Sequence, residues 1–266
     1  MSKIEICKKC TQRKFDPSQG VVCGLTNAKP FFETSCSSFE QDTTVNVNAV
    51  KALRPNDQRA KYAILFIWIV LALEIAALAS SYMQYNLLTD AANGLEITTE
   101  AADLNDTREG FIAIVYTIVS LLSAVTFILW FRRAYYNLHQ NVNHLSQTEG
   151  WAAGSWFVPI VNLYRPYQIM KELYLETKEF LIKNGITIRD SFTISNLGVW
   201  WTLWIVSNIV GQFIFRYSLR AETIDELTIS TVAEIVGSLI GIPLALITIR
   251  VIRDYSRVEP LLNEIK

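Results

Sequence analysis

Residues 62–83 read YAILFIWIVLALEIAALASSYM, from Tyr62 to Met83, and the only charged side chain in the stretch is Glu74. An α-helix needs about 20 residues to cross a hydrocarbon core of about 30 Å. Three further runs share this character. Gly110–Phe131 and Phe192–Phe215 carry no charge, and Leu227–Ile249 carries only Glu234; each of the four is 22 to 24 residues long. A buried helix of a soluble bundle keeps a polar stripe, and these runs have none. Helices suit the task because they satisfy every backbone polar group internally. The sequence therefore predicts an all-α membrane protein with four transmembrane helices at about 62–83, 110–131, 192–215 and 227–249.

Flanking charge sets the orientation. Residues 1–61 carry ten Lys or Arg, 132–190 carry seven, and the tail after Ile249 carries four, whereas 84–109 carry one, Arg108, against six acids. The loop 216–226 carries two. The positive-inside rule then places both termini and the central loop in the cytoplasm. A formal net charge of −1 gives no basic field for nucleic acid. The first sixty residues are polar and lack the apolar run of a secretory signal.

Those first residues contain all the cysteines: Cys7, Cys10, Cys23 and Cys36, spaced C-x2-C-x12-C-x12-C. Asp16–Gly20 reads as a tight turn, with Val21-Val22 as the second arm of a small hairpin. Phe15, Phe31, Phe32 and Phe39 are its only bulky core material, and some forty residues rarely fold without a metal or crosslink. In the cytoplasm persistent disulfides are disfavoured. Four thiolates suit a structural, tetrahedral zinc, and Lys8, Lys9, Arg13 and Lys14 offset its charge. Cys23 and Cys36 stand alone and do not form a second close pair, so iron and reduced free thiols are the alternatives. The domain reading is a zinc-ribbon-like module over 1–40, a linker over 41–58, a transmembrane domain over 59–258 and a tail over 259–266.

The central loop holds an interfacial segment at 150–184. Gly150–Tyr164, GWAAGSWFVPIVNLY, has fifteen uncharged residues, too few to span as a helix, so it lies in the interface or enters the membrane and returns. Pro166 opens and Asn184-Gly185 closes the next helix. Ile169, Met170, Leu173, Tyr174, Thr177, Phe180 and Leu181 make one face; Lys171, Glu172, Glu176, Lys178, Glu179 and Lys183 make the other. The pattern predicts a cytoplasmic amphipathic helix on the membrane surface.

Two stretches carry a family resemblance. Phe127–Leu138, FILWFRRAYYNL, and Gly150–Gln168, GWAAGSWFVPIVNLYRPYQ, resemble a bacterial membrane family known as a domain of unknown function, DUF4328. Its pattern is W/Y-R-x-x-x-N-L followed by G-W-x-x-G-W-W-F-x-P-I-x-N-L-x-x-P-Y. Ser155 stands where another Trp is common, and Arg133 follows Arg132 where an aromatic-Arg pair is usual. The resemblance covers roughly residues 60–255 and leaves the cysteine segment outside, as an appended module. It implies four membrane helices and a bacterial inner membrane, and it brings no activity with it.

Several residues carry further expectations. An ionisable group inside a membrane is by default a functional one, so Glu74 is a candidate for a translocation path; the alternative is a structural hydrogen bond to Asn208 or Gln212. Glu234 is placed to reach water or Arg220. Ala233, Gly237 and Gly241 recur at four-residue steps and allow close helix approach, within one chain or at a homo-oligomer seam. Trp200, Trp201 and Trp204 fill the bundle core or line a lipid-sized cavity. Trp130, Trp151 and Trp156, with Arg132, Arg133 and Arg165, read as an interfacial belt able to hold anionic lipid; Asn137, Pro159, Asn162 and Pro166 complete that motif. His139 and His144 are the only histidines, so no H-E-x-x-H site or conventional triad can be built, and no P-loop or G-x-S-x-G occurs. The expected function is non-catalytic: a scaffold, sensor or regulatory component whose residues 1–40 bind a cytoplasmic partner or sense a metal. The alternative is a small transporter or channel using Glu74.

Overall fold

The computed structural model describes residues 3–32, 35–42, 53–188 and 192–264; most of the expected linker, residues 43–52, lies outside them. The elements are α1 (Lys3–Lys8), β1 (Arg13–Asp16), β2 (Gly20–Cys23), α2 (Asp57–Ala92), α3 (Thr99–His139), α4 (Glu149–Gly154), α5 (Arg165–Lys183), α6 (Ser195–Ser218) and α7 (Ile224–Val258). Short 3-10 turns occupy Val161–Leu163 and Glu259–Asn263. Four helices, α2, α3, α6 and α7, are long and apolar enough to cross a membrane. They divide between two compact units, one holding residues 58–127 and 195–253, the other 1–57, 128–194 and 254–266.

In the membrane unit the exposed surface is greasy. Ile114 is 63%, Leu121 64% and Ile209 64% exposed, the inverse of a water-soluble bundle and the pattern hydrocarbon requires. The core is sparse and aromatic. Trp200 is buried, its ring 6.2 Å from Phe127, and its indole N–H donates to Thr248 Oγ1 at 3.1 Å. Trp201 and Trp204 stack on each other at 4.6 Å. The expected loop 84–109 is mostly helix: α2 runs to Ala92 and α3 begins at Thr99. Polar residues end the span, yet they do not break the backbone once it leaves hydrocarbon. Gly94, at φ 81°, closes α2, its N–H donating to the Ala91 carbonyl. The third span also begins later than expected, at Ser195. A capping box opens α7, where Thr223 and Glu226 exchange side-chain-to-backbone hydrogen bonds at 3.1 and 3.3 Å.

The second unit is packed inside. Its hairpin pairs Arg13 with Cys23 and Phe15 with Val21, and Asp16 Oδ1 accepts the Ser18 and Gln19 N–H groups across the turn. Phe15, Val21 and Val22 are its buried apolar residues, whereas Phe31 is fully exposed and Phe39 lies at the surface, against expectation. The larger core gathers Trp130, Phe131, Tyr135, Leu173 and Tyr255, with Tyr174 stacked on Phe192 at 4.5 Å.

Three placements differ from expectation where polar side chains are buried against partners. First, the expected wet face of α5 is wet only in part: Glu179 and Lys183 are exposed, whereas Glu172 and Glu176 are as buried as Leu173. Second, residues 259–266 are no mere tail, since Glu259 and Leu262 are buried. Third, Trp130 is no interfacial anchor. It is fully buried, edge-on to Tyr255, and its indole N–H donates to Ser256 Oγ at 3.2 Å.

Candidate functional site

The cysteines come together. Cys7 closes α1, Cys10 follows the next turn, Cys23 ends β2 and Cys36 sits in the strap behind it; all four line one small cavity with Gln12, Arg13, Ser38 and Phe39. All four are free thiols. Burial pushes the Cys7 thiol up, and its three neighbouring cysteines push it further. Cys23 is held below its ordinary value by backbone hydrogen bonds from Leu25 and Thr26, which favour a thiolate. The donor set therefore suits a soft divalent metal, although among the described residues no group of three or more His, Cys, Asp or Glu stands in a metal-holding arrangement. The sulfurs share a space without closing a coordination shell. The module is tied to the rest of its unit by charge. Lys8 Nζ donates to Glu179 and lies 3.9 Å from Glu176, and Arg13 reaches the Asn143 carbonyl at 2.8 Å.

In the membrane unit, polar side chains form a ladder. Near the turn between α2 and α3, Asn105 donates to Gln84, and Gln84 donates to Thr231 at 2.8 Å. Arg108 bonds both Asn105 and Ser80, and the Ser80 hydroxyl donates to Glu109 at 2.6 Å. Glu234 accepts from Ser81 at 3.5 Å, not from Arg220. Deeper, Glu74 accepts the Tyr116 hydroxyl at 2.6 Å and also bonds Ser238. Neither Asn208 nor Gln212 is its partner; both are exposed, and Asn208 donates to the Trp204 carbonyl of its own helix. Beyond Glu74 the buried face of α2 is Leu71, Ile67, Ala63 and Ala60, so the ladder ends there. The small-residue stripe faces the same unit. A Cβ on Gly237 would lie 3.0 Å from Ile214, and one on Gly241 would collide with the Glu74 carboxylate. Ala233 is half-buried beside them.

The family motif resolves into separate structural tasks. Asn137 donates to Glu259 at 2.7 Å and brackets Arg54, accepting its N–H at 3.0 Å and donating to its carbonyl at 2.9 Å. Pro166 is buried at the start of α5. Trp156 meets Phe131 edge-on at 6.2 Å, and Trp151 is 40% exposed. Pro159 and Asn162 shape a turn whose tip, Ile160, has φ 66° and is exposed beside Phe157. The three arginines do not form one site. Arg132 pairs with Glu149 at 3.4 Å, Arg133 acts electrostatically on Glu259, and Arg165 lies over the Tyr164 ring at 5.3 Å.

The sequence pattern of α5 hides a buried acidic pair. Glu172 accepts from the Tyr135 hydroxyl at 2.7 Å and from the Ser146 N–H and hydroxyl; Glu176 bonds His144 at 2.6 Å. Burial pushes the Glu172 carboxyl up to about 7, against the hydrogen bonds from Tyr135 and Ser146 and with the help of Glu176. A folded value above the ordinary one means the folded state holds the proton longer. Stability from this group is full below the ordinary carboxylate range and is lost as pH rises through about 7. We expect the unit that holds Glu172 to melt lower at pH 8 than at pH 5, with a contribution of order 1–3 kcal/mol from this carboxyl. Glu172→Gln should flatten that slope, and an unchanged slope in the variant would assign it to other groups.

The model of one protein family, described as a domain of unknown function (DUF4328), matches residues 93–257. No curated protein and no solved structure matches the chain.

Proposed function

The chain belongs to the DUF4328 family, and from that premise we propose that it is a non-catalytic protein of the bacterial cytoplasmic membrane whose N-terminal cysteine module holds a structural zinc. The supporting observation is the convergence of Cys7, Cys10, Cys23 and Cys36 on one cavity. Their spacing in the chain alone does not require it. Four thiolates around zinc make a closed tetrahedral site, which stabilises a fold and leaves no open position for a reaction. Metal binding of this kind is coupled to folding. Both termini lie in the cytoplasm on the balance of flanking Lys and Arg. There residues 1–40 recruit a protein partner or report metal supply, and the four helices anchor them, singly or as a homo-oligomer.

The transporter reading draws on the ladder that ends at Glu74. Its weakness is the apolar face beyond, Leu71 through Ala60, which offers a moving ion no next partner.

Elemental analysis of the full-length protein in lipid nanodiscs tests the proposal. One equivalent of zinc is expected, lost in Cys10→Ser without change in membrane insertion. Iron in its place would change the metal but keep the module. Metal-free protein with four thiols open to alkylation would remove the basis of the reading.

A further inference from the structure

A second cavity, of about 250 Å³, lies beside the hairpin in the same unit. One wall is the hairpin, with Arg13, Lys14, Phe15 and Pro17; the other is the segment His144–Gln147 with Arg165 and Gln168 from α5. We propose that this cavity binds a phosphate-bearing anion held between Lys14 and Arg165.

The charges decide the class of ligand. Arg13 is neutralised by Asp42 at 2.6 Å, and its remaining N–H groups serve the Cys10 and Asn143 carbonyls. His144 is engaged by Glu176. Lys14 is less tightly held: its ammonium meets the neutral Asn27 side chain at 2.9 Å and acts on the Asp16 carboxylate only through space. Arg165 meets the Tyr164 ring, and neither cation has a carboxylate within salt-bridge distance among the described residues. Neither cation is in a salt bridge, and the one carboxylate on the cavity wall, Asp42, is taken by Arg13, so the space attracts an anion, and phosphate offers acceptors for both an ammonium and a guanidinium fork. Gln147 and Gln168 add amide groups to the polar side, while Phe15 and Pro17 give an apolar wall for a short carbon substituent. The volume falls below the usual range for drug-sized ligands, about 300–1,000 Å³, which favours a single phosphate group over a nucleotide. Arg165 is the one arginine of the family motif that lines this space, and Lys14 comes from the appended module, so the site exists only when both parts of the chain are present. The inference does not depend on zinc.

That ligand chemistry has two sources, a soluble phosphate ester and a lipid headgroup, and one experiment separates them. Full-length protein is placed in nanodiscs of phosphatidylcholine alone and titrated with glycerol phosphate, following phosphorus NMR line width and melting temperature. A parallel set contains phosphatidylglycerol and no soluble ligand. Saturable binding in the first set identifies the soluble source; stabilisation in the second set alone identifies the headgroup. In either case Lys14→Gln and Arg165→Gln should each weaken the response about tenfold, the double variant should abolish it, and added salt should reduce it. Lys14→Arg should restore it, which a merely unfolded variant would not. No response in either set, or a response that survives the double variant, overturns the proposal.

Discussion

Gly241→Ala is expected to destabilise the membrane unit by about 1–3 kcal/mol, although alanine is the better helix former by about 1 kcal/mol. The reason lies across the helix contact. A methyl group at 241 would fall 2.6 Å from the Glu74 carboxyl carbon and nearer still to one oxygen. A carboxylate at the end of a flexible chain normally moves aside. Here it is pinned, because the Tyr116 hydroxyl donates to it at 2.6 Å and Ser238 holds it from the α7 side. Displacing it breaks at least one hydrogen bond in hydrocarbon, where no water replaces the partner. The prediction therefore carries a sign change. In a Glu74→Ala background the obstruction is gone, and Gly241→Ala should become neutral or stabilising through helix propensity alone. A thermal-denaturation double-mutant cycle in detergent reads the coupling directly. Equal effects in both backgrounds would show that Gly241 serves something else, and a shift in oligomeric mass on light scattering would move the small-residue stripe to a contact between copies.

How much of this was open to a reader of the sequence depends on the length scale of the signal. The four apolar runs are visible because hydrocarbon acts on every residue of a helix at once, so twenty side chains agree. The hairpin is visible because Asp16, Pro17 and Gly20 act within five residues. Its closing glycine indeed has φ 81°. What stayed hidden are contacts between residues far apart in the chain. Glu172 and Glu176 look like wet-face residues of an amphipathic helix until Tyr135, Ser146 and His144 arrive from other elements to satisfy them. Trp130 beside two arginines looks like a headgroup anchor, and only the Ser256 hydroxyl, 126 positions away, shows it to be core. Glu74 stands out as a charged residue in apolar sequence, but its partners do not. Amides such as Asn208 and Gln212 are conspicuous, whereas a tyrosine and a serine in apolar runs draw no notice. The same holds for Asn137, whose family motif marks it while its task depends on a residue near the other end of the chain.

That task supports the second large prediction. Glu259→Ala should cost the unit that holds it about 2–6 kcal/mol, from one to three for each buried donor left without an acceptor. Asn56 donates to both Glu259 oxygens, at 3.1 and 3.0 Å, and Asn137 donates to one of them at 2.7 Å. All three residues are nearly sealed from solvent, at 4%, 2% and 5% exposure for Asn56, Asn137 and Glu259, so water cannot enter to replace the lost oxygen without opening the core. Glu259→Gln removes less, since its carbonyl still serves Asn137 while its amide turns a donor toward Asn56. About half the loss is expected. The damage should be local in a way proteolysis can read. Asn137 also brackets the backbone of Arg54, whose guanidinium lies 4.2 Å over the Tyr136 ring. Loosening that clamp exposes the chain just before α2, and a protease that cuts on the N-terminal side of aspartate should cleave the Asn56–Asp57 bond faster in Glu259→Ala than in the native protein. Arg132→Ala, which breaks only the exposed pair with Glu149, should change stability by less than about 1 kcal/mol and leave the cleavage rate alone. If Glu259→Ala melts with the native protein, or if Arg132→Ala opens the same bond, then Glu259 is not the acceptor that fastens the two ends of the transmembrane chain together.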